Sequence, residues 1–569
     1  MKQDYSKYLQ LTEREKILIY DIEVYKEDAF VVFMNLDGSI HKIYHNDFEG
    51  IDQEVHNATL VGYNNYWYDD KIVSGMLRGY TTKQLKTLND DLIIRQQKKD
   101  ITPYLHSLDC FQQVDVSRPS LKRVEANKGV SIEETPVDFT IDRKLTEEEY
   151  QEALDYCIYD VEQTRQIFFD RFDDYFLIKK MLIEMKPTLP KNAYRWNTTT
   201  IIANILLDKP FVKWSGIRVP EHLLEIVPHE VRTMWETKEK GNITIQKYDN
   251  EIVYGFGGLH GAHTKRKKFK NVVLLDVQSL YPNIMVNYDI LGSATQLFRE
   301  ILEERARIKH DPDQQPRQEA LKLILNSTYG LLKQQYSMLF NPKASTSVCA
   351  IGQSLLTDLM DRLAPTSTIV QSNTDGVAFI PHTDDWKRIW KEWEADHNLT
   401  LEDEHFKILV QRDVNNYIGL MDNGYVLVKG GDVNLYHEDA WTKPNVARVC
   451  DVAIVDYLLY DKDILETLVE NLDKPHLFQY VLQAGGTYDG TFDDELNEYQ
   501  KVNRVFAAKK GELCLYKKKG DSLAKFPNAP SKMFLWNGET KDIQDFGKIV
   551  DLNHYYDLIL NKLERWETA

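Results

Sequence analysis

Residues 272–282 read VVLLDVQSLYP. Four apolar residues run into a carboxylate, Asp276, and the chain turns through Ser279, Leu280 and Tyr281 before Pro282. A β-rich run bounded by a turn predicts a strand. An acid at its end either closes an ordinary turn or stands where a metal could be held at a sheet's edge. Residues 322–330, KLILNSTYG, place Lys322, Asn326, Tyr329 and Lys333 on one helix face, at i, i+4, i+7 and i+11. Leu321, Ile324 and Leu325 point elsewhere and can anchor that helix. A cation, an amide and a phenol on one stripe suit a ligand with phosphate, sugar and base. Residues 371–376, QSNTDG, lie between two β-rich runs and predict a hairpin with a polar tip that presents Asp375. Alone, that tip is ordinary turn chemistry.

The amino-terminal half carries a second set of acids. KILIYDIEV (16–24) reads as a strand with Asp21 and Glu23 two apart, hence on one side, and residues 28–35 as its hairpin partner. NYWYD (65–69) adds Asp69, and YCIYD (156–160) puts Tyr156 and Asp160 at i, i+4 on a helix. That helix is predicted over 146–176, with Thr146 and Glu149 as a capping box. Any one of these acids alone reads as surface charge. Four from distant segments need a cation if they converge.

Strand and helix signals alternate to about residue 180, an α/β pattern, and 181–250 reads as a connecting region. Helices are expected at about 297–310 and 317–334, split by DPDQQP (311–316). Short strands are expected around Thr368–Ile380 and Tyr425–Val428.

At 569 residues, 43% of them hydrophobic, with 32 Tyr, 22 Phe and 10 Trp, the chain can bury several cores. No apolar stretch is long enough to span a bilayer and no secretory signal is visible, so a membrane role is not expected. Five widely spaced cysteines without a C-x-x-C argue against a disulfide framework or zinc ribbon and fit a reducing cytoplasm. A net charge of −18 argues against a passive nucleic-acid coat but not against an enzyme with a local basic cleft. Lys265, Arg266, Lys267, Lys268 and Lys270 crowd one strand entry, and eight Lys/Arg fall between Lys501 and Lys525. Both runs could be solvated faces or phosphate contacts.

The three carboxyl-half motifs resemble those of family B DNA polymerases, D-x-x-S-L-Y-P, K-x-x-x-N-S-x-Y-G and D-T-D-S. The first two match at every defining position. The amino-terminal set resembles the DEDDy 3′–5′ exonuclease of the RNase H-like superfamily. Together they imply an α/β and α+β multidomain chain, an RNase H-like exonuclease followed by a right-hand polymerase. The implied boundaries are exonuclease 1–185, connecting region 186–250, palm 251–296, fingers 297–338, palm again 339–435 and thumb 436–569.

The resemblance implies that Asp276 and Asp375, with the Val277 carbonyl, hold two Mg²⁺ ions roughly 3.5–4 Å apart. Arg305 and Lys322 would bind the nucleotide's phosphates, Asn326 would pack near the nascent pair and Tyr329 near its minor groove, and Tyr281, carried with Ser279 and Leu280, would exclude a 2′-hydroxyl. Tyr254, Gly257 and Gly258 resemble a template-strand motif with one extra residue. Tyr417, Lys429 and Arg504 would contact primer–template DNA, Arg504 from the segment 502–506. In the exonuclease, Asp21, Glu23, Asp69 and Asp160 would hold two Mg²⁺ or Mn²⁺ ions and Tyr156 would orient water. Asn65, Tyr68, Ser120 and Leu121 would bind the single strand. Between the last two exonuclease motifs no catalytic lysine can be assigned, Arg143 and Lys144 being only neighbours.

Two departures stand out: Asn373 where the family usually has Asp, and Gly376 where it has Ser. The expected substrates are primer–template DNA and dNTPs. The expected setting is a monomeric enzyme replicating a bacteriophage genome in the cytoplasm of an infected bacterium, with phage accessory proteins as candidate partners. The gaps from Asp276 to Lys322 and from Lys322 to Asp375 leave little room for the insertions of protein-primed relatives, so an ordinary primer is expected over protein priming. The rival readings are a 3′–5′ exonuclease whose polymerase half is weakened or inactive, and a silent DNA-binding scaffold.

Overall fold

The run KILIYDIEV forms strand β1 (Lys16–Val24), paired antiparallel with β2 (Ala29–Met34). The computed structural model describes residues 4–97, 105–114, 117–437 and 446–567. The chain divides into two units. One runs from the amino terminus to Asn197 and takes in Gln479–Val550; the other is built from Thr198–Glu438, Ala447–Phe478 and Asp551–Ala569.

In the first unit, β3 (Ile40–His45), β4 (Ala58–Gly62) and β5 (Ser107–Asp109) complete a sheet of order β3-β2-β1-β4-β5. Strands β1, β4 and β5 are parallel, so their carboxyl ends share one edge. Apolar side chains cover both faces of β1: Ile17 and Ile19 join one core, Leu18 and Tyr20 the other. A strand buried on both sides reads as a near-continuous apolar run, as this one does. The Glu147–Asp170 helix lies in the Ile17/Ile19 core through Leu154, Cys157 and Val161. Its Thr146–Glu149 capping box is present. The α-helix ends at Asp170, before the expected 176, and the chain continues as a π-helical turn, Phe172–Leu177.

Segment 436–569, expected as one thumb, is divided between the two units. Within the first unit, strands Tyr480–Gln483, Val502–Ala507 and Met533–Leu535 make a small sheet. Val481 and Val502 of this sheet cluster with Ala126 and Ile132. Apolar burial there joins carboxyl-terminal strands to the amino-terminal fold, a long-range pairing that local patterns do not reveal.

The reading of Arg504 as a DNA contact is corrected. Every residue of its strand is buried, and Arg504 itself is fully enclosed. Its guanidinium donates to Gln479 Oε1 at 2.8 Å and to the carbonyls of Gly538 (2.5 Å), Ala126 (3.0 Å) and Val130 (2.7 Å). In the hairpin of Tyr516–Lys519 and Ser522–Lys525, Lys519 and Lys525 are exposed, while Lys517 and Lys518 are half-buried against aromatic rings.

The second unit centres on nine strands of order β14-β13-β12-β9-β11-β10-β8-β7-β6. They are β6 (Asn242–Lys247), β7 (Asn250–Gly255), β8 (Gly258–His263), β9 (Lys268–Val277), β10 (Ser367–Asn373), β11 (Gly376–Pro381), β12 (Leu401–Asp413), β13 (Asn416–Met421) and β14 (Val426–Lys429). The sheet thus begins inside the expected connecting region, at residue 242. The expected helical pair is Thr295–Ile308 and Gln315–Lys333. The Pro342–Leu363 helix, buried along most of its length, packs on β8, β10 and β11.

Arg504→Ala strips donors from four buried acceptors. It is expected to destabilise the first unit by about 2–3 kcal/mol, read as a lower unfolding midpoint in urea. An unchanged midpoint with weakened DNA binding would instead make Arg504 a surface contact.

Candidate active sites

Strand alternation sends Asp21 and Glu23 to the face that meets the Glu147–Asp170 helix. Ligand atoms of Asp21, Glu23 and Cys157 lie within 4.8 Å of one another. Asp69 opens the Asp69–Leu77 helix just after β4, and Asp160 comes from the long helix. Glu23, Asp69 and Asp160 are buried and Asp21 is half-buried. Burial, then the Asp160 charge, pushes Asp21 up to about 7. Burial followed by the charges of Asp21, Asp160 and Asp69 holds Glu23 well above the usual carboxylate range. Asp69 is raised by burial and by Asp21. The four acids therefore share one field.

Lys122, which follows the predicted Ser120–Leu121 pair, supplies the opposing charge. Its ammonium contacts Asp160 Oδ1 and lies 3.2 Å from Glu125 Oε1. It also lies 4.6 Å from the Tyr156 ring centroid. Arg143 is instead paired with Glu149 at 2.7 Å in the helix cap. Lys122 was missed because a lysine in a helix's first turn reads as surface; its adjacency to Leu121 was the available signal. Tyr156 is half-buried, with its phenol raised by burial and by Asp160.

Oxygen-rich donors suit a hard divalent ion such as Mg²⁺ or Mn²⁺. The Cys157 thiol does not alter this: burial keeps it protonated, and it donates to Asp21 Oδ2 at 3.8 Å.

Two predicted strand-binding residues behave otherwise. Asn65 is fully buried and donates to Asp70 Oδ1 at 3.1 Å, so it shapes the turn and does not face a strand. Asp70 also accepts from Tyr20 (2.5 Å), Ser107 (2.7 Å) and Arg195. Tyr68 is half-buried, its hydroxyl donating to Asn89 at 2.8 Å. Ser120 caps the Leu121–Lys128 helix through Arg123 N at 3.3 Å, and Leu121 is half-buried beside the core.

In the second unit, Asp276 on β9 stands opposite Gly376 of β11 and Glu402 of β12. Asp375 sits in the β10–β11 turn, its carbonyl accepting from Val277 N at 2.8 Å. A cavity of about 230 Å³ is lined by Asp276, Asn373, Asp375, Glu404, Tyr417 and Lys429, among others. Burial, then Asp375, Glu404 and Glu402, pushes Asp276 up to about 8, while Lys429 opposes this. Asp375 is exposed at the turn, and partial desolvation of its carboxyl at the cavity raises it. A Cβ at Gly376 would lie 3.0 Å from Asp276 Oδ1. Gly376 therefore leaves the room the carboxylate occupies. Asn373 donates to the Val414 carbonyl at 3.4 Å. With two glutamates already bearing on Asp276, a neutral amide avoids a further like charge.

A second cavity of about 310 Å³ holds Ser279, Asn283, Arg299 and Arg305. Arg305 Nε is buried without a hydrogen-bond partner, an unanswered donor that suits an anion. Ser279 holds a left-handed backbone, φ +52°, which costs energy in a non-glycine residue. Lys322 is half-buried and paired with Glu319 at 3.1 Å; Asn326 is exposed. Arg317 is taken by Glu304 at 2.8 Å.

Tyr281 and Tyr329 have ring centroids 4.4 Å apart, and Tyr281 rests where Gly352 lacks a side chain. Their hydroxyls donate to the Gly257 and Phe256 carbonyls at 3.3 and 3.2 Å. Tyr281 and Tyr329 thus fasten the β7–β8 turn. Tyr254 is corrected from a strand contact to core: it is buried, its hydroxyl 3.0 Å from Thr357 Oγ1. Gly257 is exposed at the turn and Gly258 is buried against Thr374. Leu280 is buried. Tyr417 is buried too and turned into the acidic cavity, and Lys429 is exposed at its rim.

Residues 292–383 match the family model of DNA polymerase family B. The matched span contains Arg305, Lys322, Asn326, Tyr329 and Asp375, and stops short of Asp276. DNA polymerase 1 of Sulfolobus acidocaldarius is 24% identical over 207 residues, 28% of this chain and 24% of that protein. DNA polymerase 1 of Saccharolobus solfataricus is 28% identical over 117 residues, 20% of this chain and 13% of that protein. The matches thus span a quarter or less of these relatives. The family B DNA polymerase structure from Pyrobaculum calidifontis aligns with 97% of this chain and 78% of its own, at 15% identity and TM-score 0.46. No described helix is long and apolar enough to cross a membrane.

Asp21 ionises near 7 when folded and near 3.8 in its ordinary state. The unfolded chain loses its proton first, so this residue costs stability increasingly from about pH 4 to 7. In chelator, Asp21→Asn is expected to melt about 5 °C or more above the parent at pH 8, with the gap closing towards pH 4. Equal melting at pH 8 would contradict the repulsion.

Proposed function

We propose that the chain is a DNA-directed DNA polymerase with a 3′–5′ proofreading exonuclease. It extends a primer 3′-hydroxyl with dNTPs and replicates a bacteriophage genome in an infected cell. The observation that carries the reading is the placement of Asp276 and Asp375 at one acidic cavity, with both flanked in sequence by the family's motifs. On this reading the first unit's five-stranded sheet is the RNase H-like part, the nine-stranded sheet the palm, and the Thr295–Ile308 and Gln315–Lys333 pair the fingers.

Asp276 and Asp375 would hold Mg²⁺, with the Val277 carbonyl assisting. The bound ions would supply charge that favours the ionised primer hydroxyl and steadies the leaving pyrophosphate. Arg305 offers its unpartnered Nε to the triphosphate, and Lys322 joins by releasing Glu319. Tyr281, backed by Gly352 and Tyr329, has little room to retreat from a 2′-hydroxyl and so favours dNTPs. In the other unit, Asp21, Glu23, Asp69 and Asp160 would hold the ions for trimming. There Tyr156 orients water, and Lys122 holds Asp160 against the repulsion of its neighbours.

A mismatched primer–template tests both halves. With Mg²⁺ and dNTPs, the protein is expected to trim and then extend. Asp375→Ala should lower extension at least 1000-fold, on the order of the largest single electrostatic contributions, and leave trimming intact. Asp21→Ala should do the reverse. Trimming without extension in the unaltered protein would favour an exonuclease with a silent polymerase half.

Gly376→Val is expected to slow extension about 100-fold by displacing Asp276, the scale of an ångström's misplacement, and to leave trimming unchanged. Extension at the parent rate would show that Asp276 need not sit where it does.

A further inference from the structure

We propose that the cavity at the carboxyl edge of β4 and β5 is a subsite for an unstacked base of single-stranded DNA, with Trp67 as its stacking platform and Arg118 as its phosphate contact. The inference rests on the trimming activity proposed above and adds a binding surface to it.

Open sheets with parallel strands bind ligands beyond the strands' carboxyl ends. Here β1 brings Asp21 and Glu23 towards that edge, and β4 leads through residues 63–68 into Asp69. Trp67 is therefore two residues from an acid of the trimming site. Beside it lies a cavity of about 1100 Å³, slightly larger than a typical small-ligand pocket. Its wall includes Asn64, Tyr66, Trp67, Asp109, Phe111 and Arg118.

The aromatic groups there differ in freedom. Tyr66 is fixed: its hydroxyl donates to the Ser107 carbonyl at 3.0 Å, and the Arg195 guanidinium covers its ring at 4.6 Å. Trp67 is 68% exposed, with Lys71 Nζ 5.8 Å from its ring. An exposed indole beside a cation offers a face to any base, whatever its sequence. Arg195 is committed to Asp70. Arg118 is exposed and has no ion-pair partner among the described residues.

The cavity's rims are tied together. One Asp109 oxygen accepts from both Asn64 N and Phe111 N, each at 2.8 Å. The residues expected to grip the strand are otherwise engaged: Asn65 is enclosed, and the Tyr68 hydroxyl is held by Asn89. None of the trimming acids lines the cavity, and Trp67, two residues before Asp69, is the exposed aromatic residue that joins the two in sequence.

The test measures anisotropy of fluorescein-labelled oligo(dT) on the full-length protein in chelator, so that no cleavage intervenes. Trp67→Ala is expected to weaken binding about 10-fold, within the range for one stacked base. Trp67→Phe should recover most of the loss, which separates stacking from misfolding. Arg118→Ala should weaken binding and reduce its salt dependence. Blunt duplex should bind all variants equally. Parent-like oligo(dT) binding by Trp67→Ala and Arg118→Ala, from a protein that still digests single strands, would overturn the subsite alone. An unaltered protein that neither binds nor digests single strands would overturn the trimming reading, and the subsite with it.

Discussion

Like charges held close together are the constraint on which both sites depend, largely out of water in the first unit and at a half-open cavity in the second. Asp21, Glu23 and Asp69 are each pushed towards the protonated form by burial and by neighbouring acids of the set, and Asp160 is raised by burial against the opposing charge of Lys122. A fold keeps such a group only if its surroundings over-determine it. Here β1 is locked between two cores, Asp69 is fixed at a helix start, and Asp160 is fastened by Lys122. What remains unbalanced favours a cation. On the proposed reading, the strain of the metal-free site is what gives the ion its affinity.

The second unit meets the same constraint with fewer charges. Asp276 feels Asp375, Glu404 and Glu402, with Lys429 in opposition. The two departures from the third motif of family B DNA polymerases make sense in these terms. Gly376 leaves space for the Asp276 carboxylate. Asn373 hydrogen-bonds a carbonyl without adding a charge. A site with two aspartates and two nearby glutamates already approaches what one small cavity can hold.

Local signals in the sequence carried a long way. The Thr146–Glu149 box placed a helix start, alternation placed Asp21 and Glu23 on one face, and a polar tip between β-rich runs placed Asp375 in a turn. All of these depend on neighbours within a few positions. What was not legible depends on partners far away. Arg504 lies among lysines in sequence, yet its acceptors lie near residues 126–130, 479 and 538. Tyr254 carried a strand-binding motif but packs as core, and Asn65 turned inwards to Asp70. Lys122 became visible only once Asp160 was beside it. Residue type and spacing specify which chemistry is on offer; tertiary packing decides which side chains are free to perform it.

The central claim is that two separate groups of carboxylates, one buried and one lining a half-open cavity, each await a divalent ion. Counting Mn²⁺ by electron paramagnetic resonance tests it most directly, since the readout is occupancy and not turnover. The account predicts that the unaltered protein binds Mn²⁺ in two independent sets. Substituting Asp21 and Glu23 together by alanine should remove one set, and substituting Asp276 and Asp375 together should remove the other. Mn²⁺ binding that survives both pairs of substitutions, or that is absent from the unaltered protein, would contradict it.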